Sequence, residues 1–390
     1  MFSKLSRMTL ARAALFKDVP VYVQFYVTAR CNLTCEQCNI IFANADVREC
    51  DISEVERIAD NLALLNVAIV LLTGGEPFAR KDLPQIIRAF ESRGIHVRMQ
   101  TNGAATEDQI VRAIEAGGRD ISISLDTLDP AKQDRINGGF PRSWERALRA
   151  IALFTRHLPT ENSFASLGCV MQPVNVGDIE DVVRFGSAIG WYTSVVPIHV
   201  GKAHDPRGFR TLDTGLAFRD EEIPWLDATV ERVRQLREDG FLLYDSDQYL
   251  DDIKRFVRGQ AVSWRDRNEG VCDSPNLYFA ILPNGEFAPC CDHRMPRGMP
   301  VFSEVFVRQF RDRGWRREVH EIVAACDGCM YGSYPEMTIS MRFLAAKFQR
   351  VRTFFAAPAK HDWPVDYERL LELAAKIRSE PRNRPGRTGI

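Results

Sequence analysis

Short runs of apolar and β-branched residues alternate with amphipathic helical patterns between about residue 20 and residue 200. Apolar runs of this kind predict buried strands, and periodic apolar positions between them predict helices packed on a sheet. The predicted strands span residues 21–28, 67–72, 96–101, 120–125, 164–171 and 192–198. Predicted helices include residues 53–65, 83–92, 107–116, 143–155 and 179–189.

Six β–α units in series predict parallel strands joined by right-handed crossovers. The predicted fold class is α/β, with a partial (β/α)6 barrel at residues 20–200 and a doubly wound sheet as the alternative. In both folds, ligands bind at the carboxyl ends of the strands. Residues 1–19 are expected to form an N-terminal helical segment. Two helix starts carry capping-box signatures, Ser53 with Glu56 and Thr106 with Gln109.

The pattern changes after residue 200. Residues 201–270 read as a linker with one helix at 220–238, and residues 271–335 as a small α+β cysteine-rich domain. Apolar runs at 277–282 and 286–288 flank Pro283-Asn284-Gly285, which predicts a hairpin. Helices are predicted at 302–324 and 336–356, and residues 336–378 are assigned to C-terminal helices. The polar, Arg-, Pro- and Gly-rich residues 379–390 predict a disordered tail.

The amino-acid composition and net charge of the chain limit the classes of function that it can have. The chain has 390 residues, 45% of them hydrophobic and 26% charged, as in soluble globular proteins. A net charge of −1 argues against a nucleic-acid surface. The sequence contains neither an apolar run long enough to span a membrane nor a secretory signal, so we expect a cytoplasmic protein. In that compartment the ten cysteines are expected to be ligands or catalysts rather than disulfides.

The first cysteine cluster directly follows the first predicted strand and comprises Cys31, Cys35 and Cys38, spaced C-x3-C-x2-C. Three thiolates in one loop suit an iron–sulfur cluster that keeps one iron open for another ligand. Structural zinc sites require four ligands, and this loop offers three. The alternatives are a zinc site or three buried cysteines.

This spacing after the first strand of a partial barrel resembles the signature of the radical S-adenosylmethionine (SAM) superfamily. The resemblance implies a [4Fe–4S] cluster whose open iron is chelated by SAM. It also implies reductive cleavage of SAM to methionine and a 5′-deoxyadenosyl radical. Gln37 departs from the pattern, because that position is often aromatic in the family.

Further motifs at strand ends support the resemblance. Thr73-Gly74-Gly75-Glu76-Pro77 resembles the family's GGEP motif, which binds the SAM amino group, although Gly-Gly alone would indicate a tight turn. The resemblance also implies that residues at later strand ends contact SAM or substrate. These candidates are Asn102, Ser124, Asp126 and Arg135.

A second set of cysteines comprises Cys272, Cys290, Cys326 and Cys329. Four thiolates suit either a fully ligated [4Fe–4S] cluster or tetrahedral zinc, and the spacing leaves both open. The C-x17-C hairpin followed by C-x2-C resembles the SPASM and twitch auxiliary-cluster extensions, and the lack of later cysteines resembles the one-cluster twitch form. Cys291 could replace Cys290 as ligand. Cys50 and Cys169 are predicted to be ordinary buried thiols.

The resemblance implies a radical SAM oxidoreductase or maturase that removes hydrogen from an unactivated C–H bond of a metabolite, lipid or peptide. The auxiliary cluster would relay electrons, and a flavodoxin or ferredoxin would be the donor. Peptide maturases often carry an extra N-terminal recognition domain, and the 20 or so residues before the first strand lower that expectation. The competing function is a zinc-stabilised β/α-barrel binding or regulatory protein without redox chemistry.

The sequence assigns no catalytic acid or base. Candidates in segments near the barrel mouth are His199, His204, Asp245, Asp247, His293 and Glu336, each more readily explained as a surface or hydrogen-bonded residue. Residues 2–17 and 341–355 form two basic amphipathic stretches. Such stretches bind anionic membrane surfaces or, more commonly, pack on the protein's own core.

Overall fold

The computed structural model describes residues 19–40, 47–161, 163–201, 209–265, 272–355 and 362–381. An eight-stranded sheet has the order β6-β5-β4-β3-β2-β1-β7-β8. Neighbouring strands are parallel except for the antiparallel pair β7–β8. The strands are β1 Tyr22–Thr28, β2 Ile69–Gly74, β3 His96–Thr101, β4 Asp120–Ser124, β5 Phe164–Met171, β6 Tyr192–Pro197, β7 Tyr278–Ile281 and β8 Phe287–Ala288.

Helices join the successive parallel strands and continue beyond them. Those among the strands are α1 Ile52–Leu64, α2 Leu83–Glu91, α3 Glu107–Glu115, α4 Pro130–Ile136, α5 Ser143–His157 and α6 Ile179–Ala188. Those that follow are α7 Ile223–Glu238, α8 Asp247–Val257, α9 Phe306–Phe310, α10 Arg313–Ala324, α11 Ser333–Arg342, α12 Leu344–Phe355 and α13 Tyr367–Ser379. The predicted α/β fold class is confirmed, and none of the described helices is both long and apolar enough to cross a membrane.

The predicted hairpin after Cys272 is present, but it belongs to the main sheet. Strand β7 pairs in parallel with β1, with registers from Tyr22↔Tyr278 to Phe25↔Ile281. All four residues of β7 are buried, as is typical of an interior strand of a parallel sheet and not of an exposed edge strand. The proposed boundary of a separate domain at residue 271 remains a prediction.

Of the two predicted capping boxes, one differs from the structure and one is confirmed. Asp51, not Ser53, caps α1: its carboxylate accepts from the Glu54 backbone N–H, and the Glu54 carboxylate accepts from the Asp51 N–H. Aspartate is the better cap because its carboxylate is charged, and the Ser53 hydroxyl donates to it. The capping box of Thr106 with Gln109 is confirmed.

The part of the chain after residue 200 contains more separate helices than the sequence predicts. The helix expected at 302–324 is split into α9 and α10, because Asp312 adopts an extended conformation and caps α10 by accepting from the Trp315 N–H. Residues 201–270, predicted as a linker and helical region, contain α8 in addition to α7, and Ser246 caps α8 by accepting from the Tyr249 N–H. The described residues do not include 1–18 of the predicted helical segment 1–19, His204, or 382–390 of the predicted tail 379–390.

The two faces of the sheet have different surroundings. On β1, Val23, Phe25 and Val27 belong to the large core formed with the helices. Tyr22 and Tyr26 point to the other face, where a second apolar cluster includes Tyr334 of α11. This alternation follows the two-residue period of a strand. Half-buried polar residues share this inner face, so the barrel interior is polar, for example at Gln24, Gln100, Ser122, Ser124 and Ser194.

The outer edge of β6, the last barrel strand, is hydrogen-bonded to a later segment of the chain. Its Thr193 N–H donates to the Leu242 carbonyl at 2.8 Å, and the Tyr244 N–H donates to the Thr193 carbonyl at 2.8 Å. Farther along, the Met330 N–H donates to Nε2 of His199 at 2.8 Å. The segment after the second cysteine set therefore reaches the β6 side, while β7 borders the β1 side.

Candidate functional site

The three N-terminal cysteines lie in one loop at the carboxyl end of β1. Cys31 follows the strand by three residues, and all three cysteines are half-buried. The loop turns back on itself, since the Cys38 N–H donates to the Cys35 carbonyl at 3.1 Å. The Leu33 N–H points at the Cys31 sulfur at 3.4 Å. The loop therefore presents three thiols together at the strand edge where ligands bind in this fold.

The loop is held from the side by the end of α4. The Glu36 N–H donates to the Ile136 carbonyl at 3.4 Å, and the Cys35 thiol donates to Oδ1 of Asn137 at 3.5 Å. The Asn137 amide in turn donates to the Ser143 hydroxyl at 2.9 Å. This chain of contacts fixes the cluster loop against the β4–α5 connection.

Burial and mutual proximity keep these thiols neutral in the protein alone. Burial, and to a lesser degree the Cys31 thiol, raises the pKa of Cys38 to about 11. Burial and then the Cys38 thiol also raise the pKa of Cys35. Because iron binds thiolate rather than thiol, binding of a cationic cluster would remove these protons and place positive charge among the three sulfurs.

The Gly74–Gly75 pair runs alongside the start of this loop. Gly74 has φ +139°, and a Cβ there would lie 2.2 Å from the Thr28 carbonyl oxygen. A Cβ on Gly75 would lie 2.2 Å from the Arg30 carbonyl oxygen. The Gly75 N–H donates to Thr28, and the Glu76 N–H donates to Arg30, both at 2.8 Å. Only glycine lets the two backbones approach so closely.

Glu76 joins the ends of β2 and β3. Its carboxylate accepts from the Thr101 hydroxyl at 2.8 Å, the Asn102 N–H at 2.8 Å and the Phe78 N–H at 3.0 Å. Burial raises the pKa of Glu76 to about 7, although these bonds act in the opposite direction. The side chain therefore acts as a brace for the loops, and any direct contact of this motif with a ligand would come from its backbone.

Asn102 links that brace to the cysteine loop. Its Nδ2 donates to Oδ1 of Asn32 at 2.9 Å and points at the Cys31 sulfur at 3.7 Å. Its Oδ1 accepts from the Ala104 N–H at 3.0 Å. An amide that faces a thiolate stabilises the charged form and tunes a cluster bound to it.

The remaining candidates differ in position. Ser124 is half-buried at the end of β4. Asp126 is buried; its carboxylate accepts from the Val170 N–H at 2.7 Å and from Gln133 at 3.3 Å, and burial raises its pKa to about 6. Arg135 is exposed on α4. The structure thus brings Gly74 to Pro77, Asn102 and the three cysteines together. Asp126 ties β4 to β5, and its carboxyl is also near enough to the loop to help raise the pKa of Cys35.

The donor set fits a polar ligand beside the three thiols. Two buried amide atoms in the loop, Nδ2 of Asn32 and Oε1 of Gln37, have no hydrogen-bond partner among the described residues. Unpaired buried polar atoms are costly, so an additional polar group there would relieve that cost. Within the described residues, no three side chains of His, Cys, Asp or Glu converge on one single-ion site. In a [4Fe–4S] cluster each thiolate binds a different iron, so such convergence is not required.

The second cysteine set assembles around Cys290. Burial and then the Cys290 thiol raise the pKa of Cys272 to about 12 and that of Cys326 to about 11. The same two causes raise the pKa of Cys329 well above its usual range. Cys290 is therefore the common neighbour of the other three thiols. Cys326 also accepts from the Gly328 N–H at 3.3 Å, the amide-to-sulfur contact expected in a C-x2-C knuckle.

Cys291 is buried, whereas the adjacent Cys290 is half-buried and packs against the same apolar cluster. Cys291 lies in this inner-face cluster with Tyr26 and Tyr334, and its thiol donates to the sulfur of Cys290. This hydrogen bond holds the pKa of Cys290 below its usual value. Cys50 and Cys169 are both buried, as predicted.

The knuckle is fastened by a network that the sequence did not indicate. Arg210 donates to the Asp292 carboxylate at 2.7 Å and to the Gly328 carbonyl at 2.9 Å, and the Tyr331 hydroxyl donates to Asp292 at 3.0 Å. Arg210 is distant in sequence from all these residues, so only the adjacency of Asp292 to Cys290 and Cys291 could have drawn attention to it.

The acid–base candidates are mostly structural. His199 donates through Nδ1 to the Pro197 carbonyl at 2.7 Å, accepts at Nε2 and stacks on Tyr331 at 3.9 Å. Burial lowers its pKa to about 3, so the ring is neutral. Gln349 donates to Asp247 at 2.5 Å, and the Glu336 carboxylate accepts from Arg350 at 2.5 Å. His293 lies beside the second cysteine set in sequence and is likewise engaged.

Asp245 differs from the other acid–base candidates because it is hydrogen-bonded to a residue that faces the barrel interior. Its carboxylate accepts from the Ser194 hydroxyl at 2.8 Å and the Val195 N–H at 2.6 Å. Burial, followed by the charge of Glu336, raises the pKa of Asp245 to about 7. A proton on this carboxyl could therefore exchange near neutral pH.

Comparison with known proteins agrees with this site. Residues 25–186 match the family model described as the radical SAM superfamily. This segment begins within β1 and contains β2 to β5, the cysteine loop and the Gly74–Gly75 turn.

Curated relatives include two kinds of cyclase. The chain is 26% identical over 330 residues to a PqqA peptide cyclase of Xanthomonas axonopodis pv. citri, which covers 80% of each chain. It is 31% identical over 174 residues to the PqqA peptide cyclase of Ruegeria pomeroyi, covering 44% of this chain and 45% of the relative. A probable GTP 3′,8-cyclase of Pyrococcus abyssi is 30% identical over 175 residues, covering 45% of this chain and 55% of the relative.

Solved structures with a similar fold include SuiB of Streptococcus suis bound to its precursor peptide SuiA. That match has a TM-score of 0.60 and 16% identity, and covers 82% of this chain and 70% of that chain. The protein anSMEcpe with bound AdoMet and the Cp18Cys peptide matches with a TM-score of 0.55 and 15% identity, covering 92% of this chain and 99% of that chain. At these identities the likeness shows the fold alone.

Proposed function

We propose, on the premise that residues 25–186 form a radical SAM domain, that the chain is an oxidoreductase or maturase acting on an unactivated C–H bond. When bound, a [4Fe–4S] cluster and SAM would supply a 5′-deoxyadenosyl radical at the cost of one electron from a flavodoxin- or ferredoxin-type donor. Cys31, Cys35 and Cys38 would hold that cluster. The observation that carries the proposal is the meeting of these three thiols with the Gly74–Gly75 backbone at one strand edge.

The residues around the site have distinct proposed tasks. Gly74 and Gly75 would present backbone carbonyls to the SAM ammonium group, since no side chain intervenes there. Glu76 would keep that backbone in place through its bonds to Thr101 and Asn102. Asn102 would donate to the Cys31 thiolate. Ser124 and Asp126 at the end of β4, and Arg135 on α4, remain proposed ligand contacts.

The second cysteine set supports the proposal of an auxiliary [4Fe–4S] cluster. Cys272, Cys290, Cys326 and Cys329 would supply four thiolates, and a fully ligated cluster is suited to electron relay rather than substrate binding. A substrate that loses one hydrogen atom to the 5′-deoxyadenosyl radical and then passes one electron to this cluster would be oxidised by two electrons overall, and the auxiliary cluster would be reduced by one. The anchoring of the knuckle by Arg210 and His199 favours a fixed distance between the two cysteine sets.

A peptide is the substrate class we propose. The PqqA peptide cyclase of Xanthomonas axonopodis is aligned with four fifths of this chain, so that similarity extends beyond the SAM-binding half into the second cysteine set. A small molecule or lipid is the alternative substrate.

The test uses the full chain purified without oxygen and reconstituted with iron and sulfide. Reduced protein is given SAM together with peptide, lipid or small-molecule fractions of host extract, and 5′-deoxyadenosine is quantified. The proposal predicts 5′-deoxyadenosine that increases with the peptide fraction and is absent from the variant Cys31→Ala/Cys35→Ala/Cys38→Ala. If the lipid or small-molecule fraction increases 5′-deoxyadenosine and the peptide fraction does not, the peptide proposal is wrong and that other fraction contains the substrate.

The competing zinc-stabilised binding protein makes a different prediction in the same preparation. Such a protein would be colourless, would hold zinc instead of iron and would form no 5′-deoxyadenosine. Two clusters would instead give a brown protein with about eight irons per chain.

A further inference from the structure

Helix α12 presents an uncovered apolar stripe. Six large hydrophobic side chains are exposed in the described part of the chain, and three of them lie on this helix. Leu344 and Phe348 are each 71% exposed and Val351 is 45% exposed. Spacings of four and three residues place them on one face of a helix. The other exposed hydrophobics are scattered singly, which is normal for a protein surface.

The opposite face of α12 fixes the helix in this orientation. Ala346 is buried, and Gln349 donates to the Asp247 carboxylate at 2.5 Å. Arg350 donates to Glu336 at 2.5 Å, and its guanidinium lies 3.8 Å from the centroid of the Tyr244 ring. The stripe therefore cannot turn inward without breaking a buried ion pair, which is costly.

Cations border the stripe on both sides. At 100° per residue, Lys347 lies on one side of the line through Leu344 and Phe348, and Arg352 lies on the other. Arg352 is exposed, and Lys347 is half-buried. The sequence of α12 contains no acidic residue. The surface that would cover this face must therefore offer both an apolar interior and negative charge.

We propose that this face of α12 docks the protein onto an anionic lipid surface. An amphipathic helix with a cation-flanked apolar face inserts its apolar side chains at the boundary between lipid headgroups and acyl chains. The alternative, a second copy of the chain, fits less well. Three side chains expose roughly 300 Å², well short of the ~800 Å² that each partner contributes to a stable interface. Like charges on two copies of the helix would also repel.

The docking is independent of SAM chemistry, so it is measured by binding. The full chain is sedimented with vesicles of phosphatidylcholine alone and of phosphatidylcholine mixed with phosphatidylglycerol, at low and high salt. Test variants are Phe348→Ser and the double variant Lys347→Gln/Arg352→Gln. Matched controls are Leu64→Ser, which changes a hydrophobic 61% exposed on α1, and Arg308→Gln, which removes an exposed cation from α9.

We expect binding to the mixed vesicles and little binding to phosphatidylcholine alone. Phe348→Ser should weaken binding about tenfold, and the double variant should weaken it about fivefold per cation removed and reduce its salt dependence. Both controls should bind like the original chain. Circular dichroism of each variant shows whether the fold is retained.

Three results would overturn the proposal. The first is no binding to anionic vesicles at low salt. The second is binding that Phe348→Ser and Leu64→Ser weaken equally, since another surface would then be responsible. The third is self-association in sedimentation velocity that Phe348→Ser abolishes, because the face would then be an interface between two copies. None of these results depends on whether the chain forms 5′-deoxyadenosine.

Discussion

A single methyl group at Gly75 should disrupt the candidate SAM site. Gly75 does not need a left-handed backbone, so the cost of Gly75→Ala comes from contact alone. The new Cβ would lie 2.2 Å from the Arg30 carbonyl oxygen and 2.8 Å from that of Ala29. Both partners are backbone atoms, so no side chain can move aside to make room.

The magnitude follows from how far the backbone must move. Relief of the 2.2 Å contact separates the two segments by about 1 Å, which strains the two 2.8 Å hydrogen bonds between them. Overpacking of this kind costs about 1–3 kcal/mol, and two weakened hydrogen bonds add about 1 kcal/mol each. A displacement of about 1 Å at a reacting centre can lower the rate about 100-fold.

The assay compares Gly75→Ala with Gly314→Ala, whose Cβ would meet only the Asp312 side chain. Thermal unfolding, iron content and 5′-deoxyadenosine formation are measured on reconstituted protein without oxygen. We expect Gly75→Ala to unfold at lower temperature and to form 5′-deoxyadenosine about 100-fold more slowly. Gly314→Ala should match the original chain. If Gly75→Ala retains the original rate and stability, the close backbone approach plays no part in the site.

Three other substitutions test separate parts of the site. Cys290→Ala should lose about four of about eight irons per chain, whereas Cys291→Ala should keep them; the reverse result would make Cys291 the ligand. Burial and then Glu336 raise the pKa of Asp245 to about 7, so its contribution to the free energy of unfolding falls as pH rises from about 4 to about 7. Asp245→Asn should therefore destabilise the protein more at pH 5 than at pH 8 in denaturant unfolding, and an equal loss at both would contradict the assignment. Glu76→Gln should lower the free energy of unfolding by about 1–3 kcal/mol, because its new N–H₂ group would face a backbone N–H donor. Unchanged stability would show that the hydrogen bonds of the Glu76 carboxylate are dispensable.

The barrel strands were predictable because each carries a strong local signal. Strands β3 and β5 match the predicted bounds at 96–101 and 164–171, and the other barrel strands agree within two residues. Apolar and β-branched runs between helical patterns leave few alternatives for a parallel sheet. The three cysteines and Gly74–Gly75 could be proposed as site residues for a similar reason, since each set occupies a short motif at the end of a strand.

Long-range pairings were not predictable. The sequence near residues 278–281 does not indicate that β7 pairs with β1, because β1 lies some 250 residues earlier in the chain. The same holds for Arg210, whose bonds to Asp292 and Gly328 join three distant segments. Such contacts depend on the completed fold and leave no periodic trace in the sequence.

The most direct test of the central proposal is the formation of 5′-deoxyadenosine by the intact chain. The protein is purified and reconstituted without oxygen, reduced chemically and incubated with SAM, and the products are separated by chromatography. The account predicts 5′-deoxyadenosine and methionine in equal amounts, and neither from the variant Cys31→Ala/Cys35→Ala/Cys38→Ala. An iron-loaded protein that binds SAM but never cleaves it, with any reductant or substrate fraction, would contradict the account.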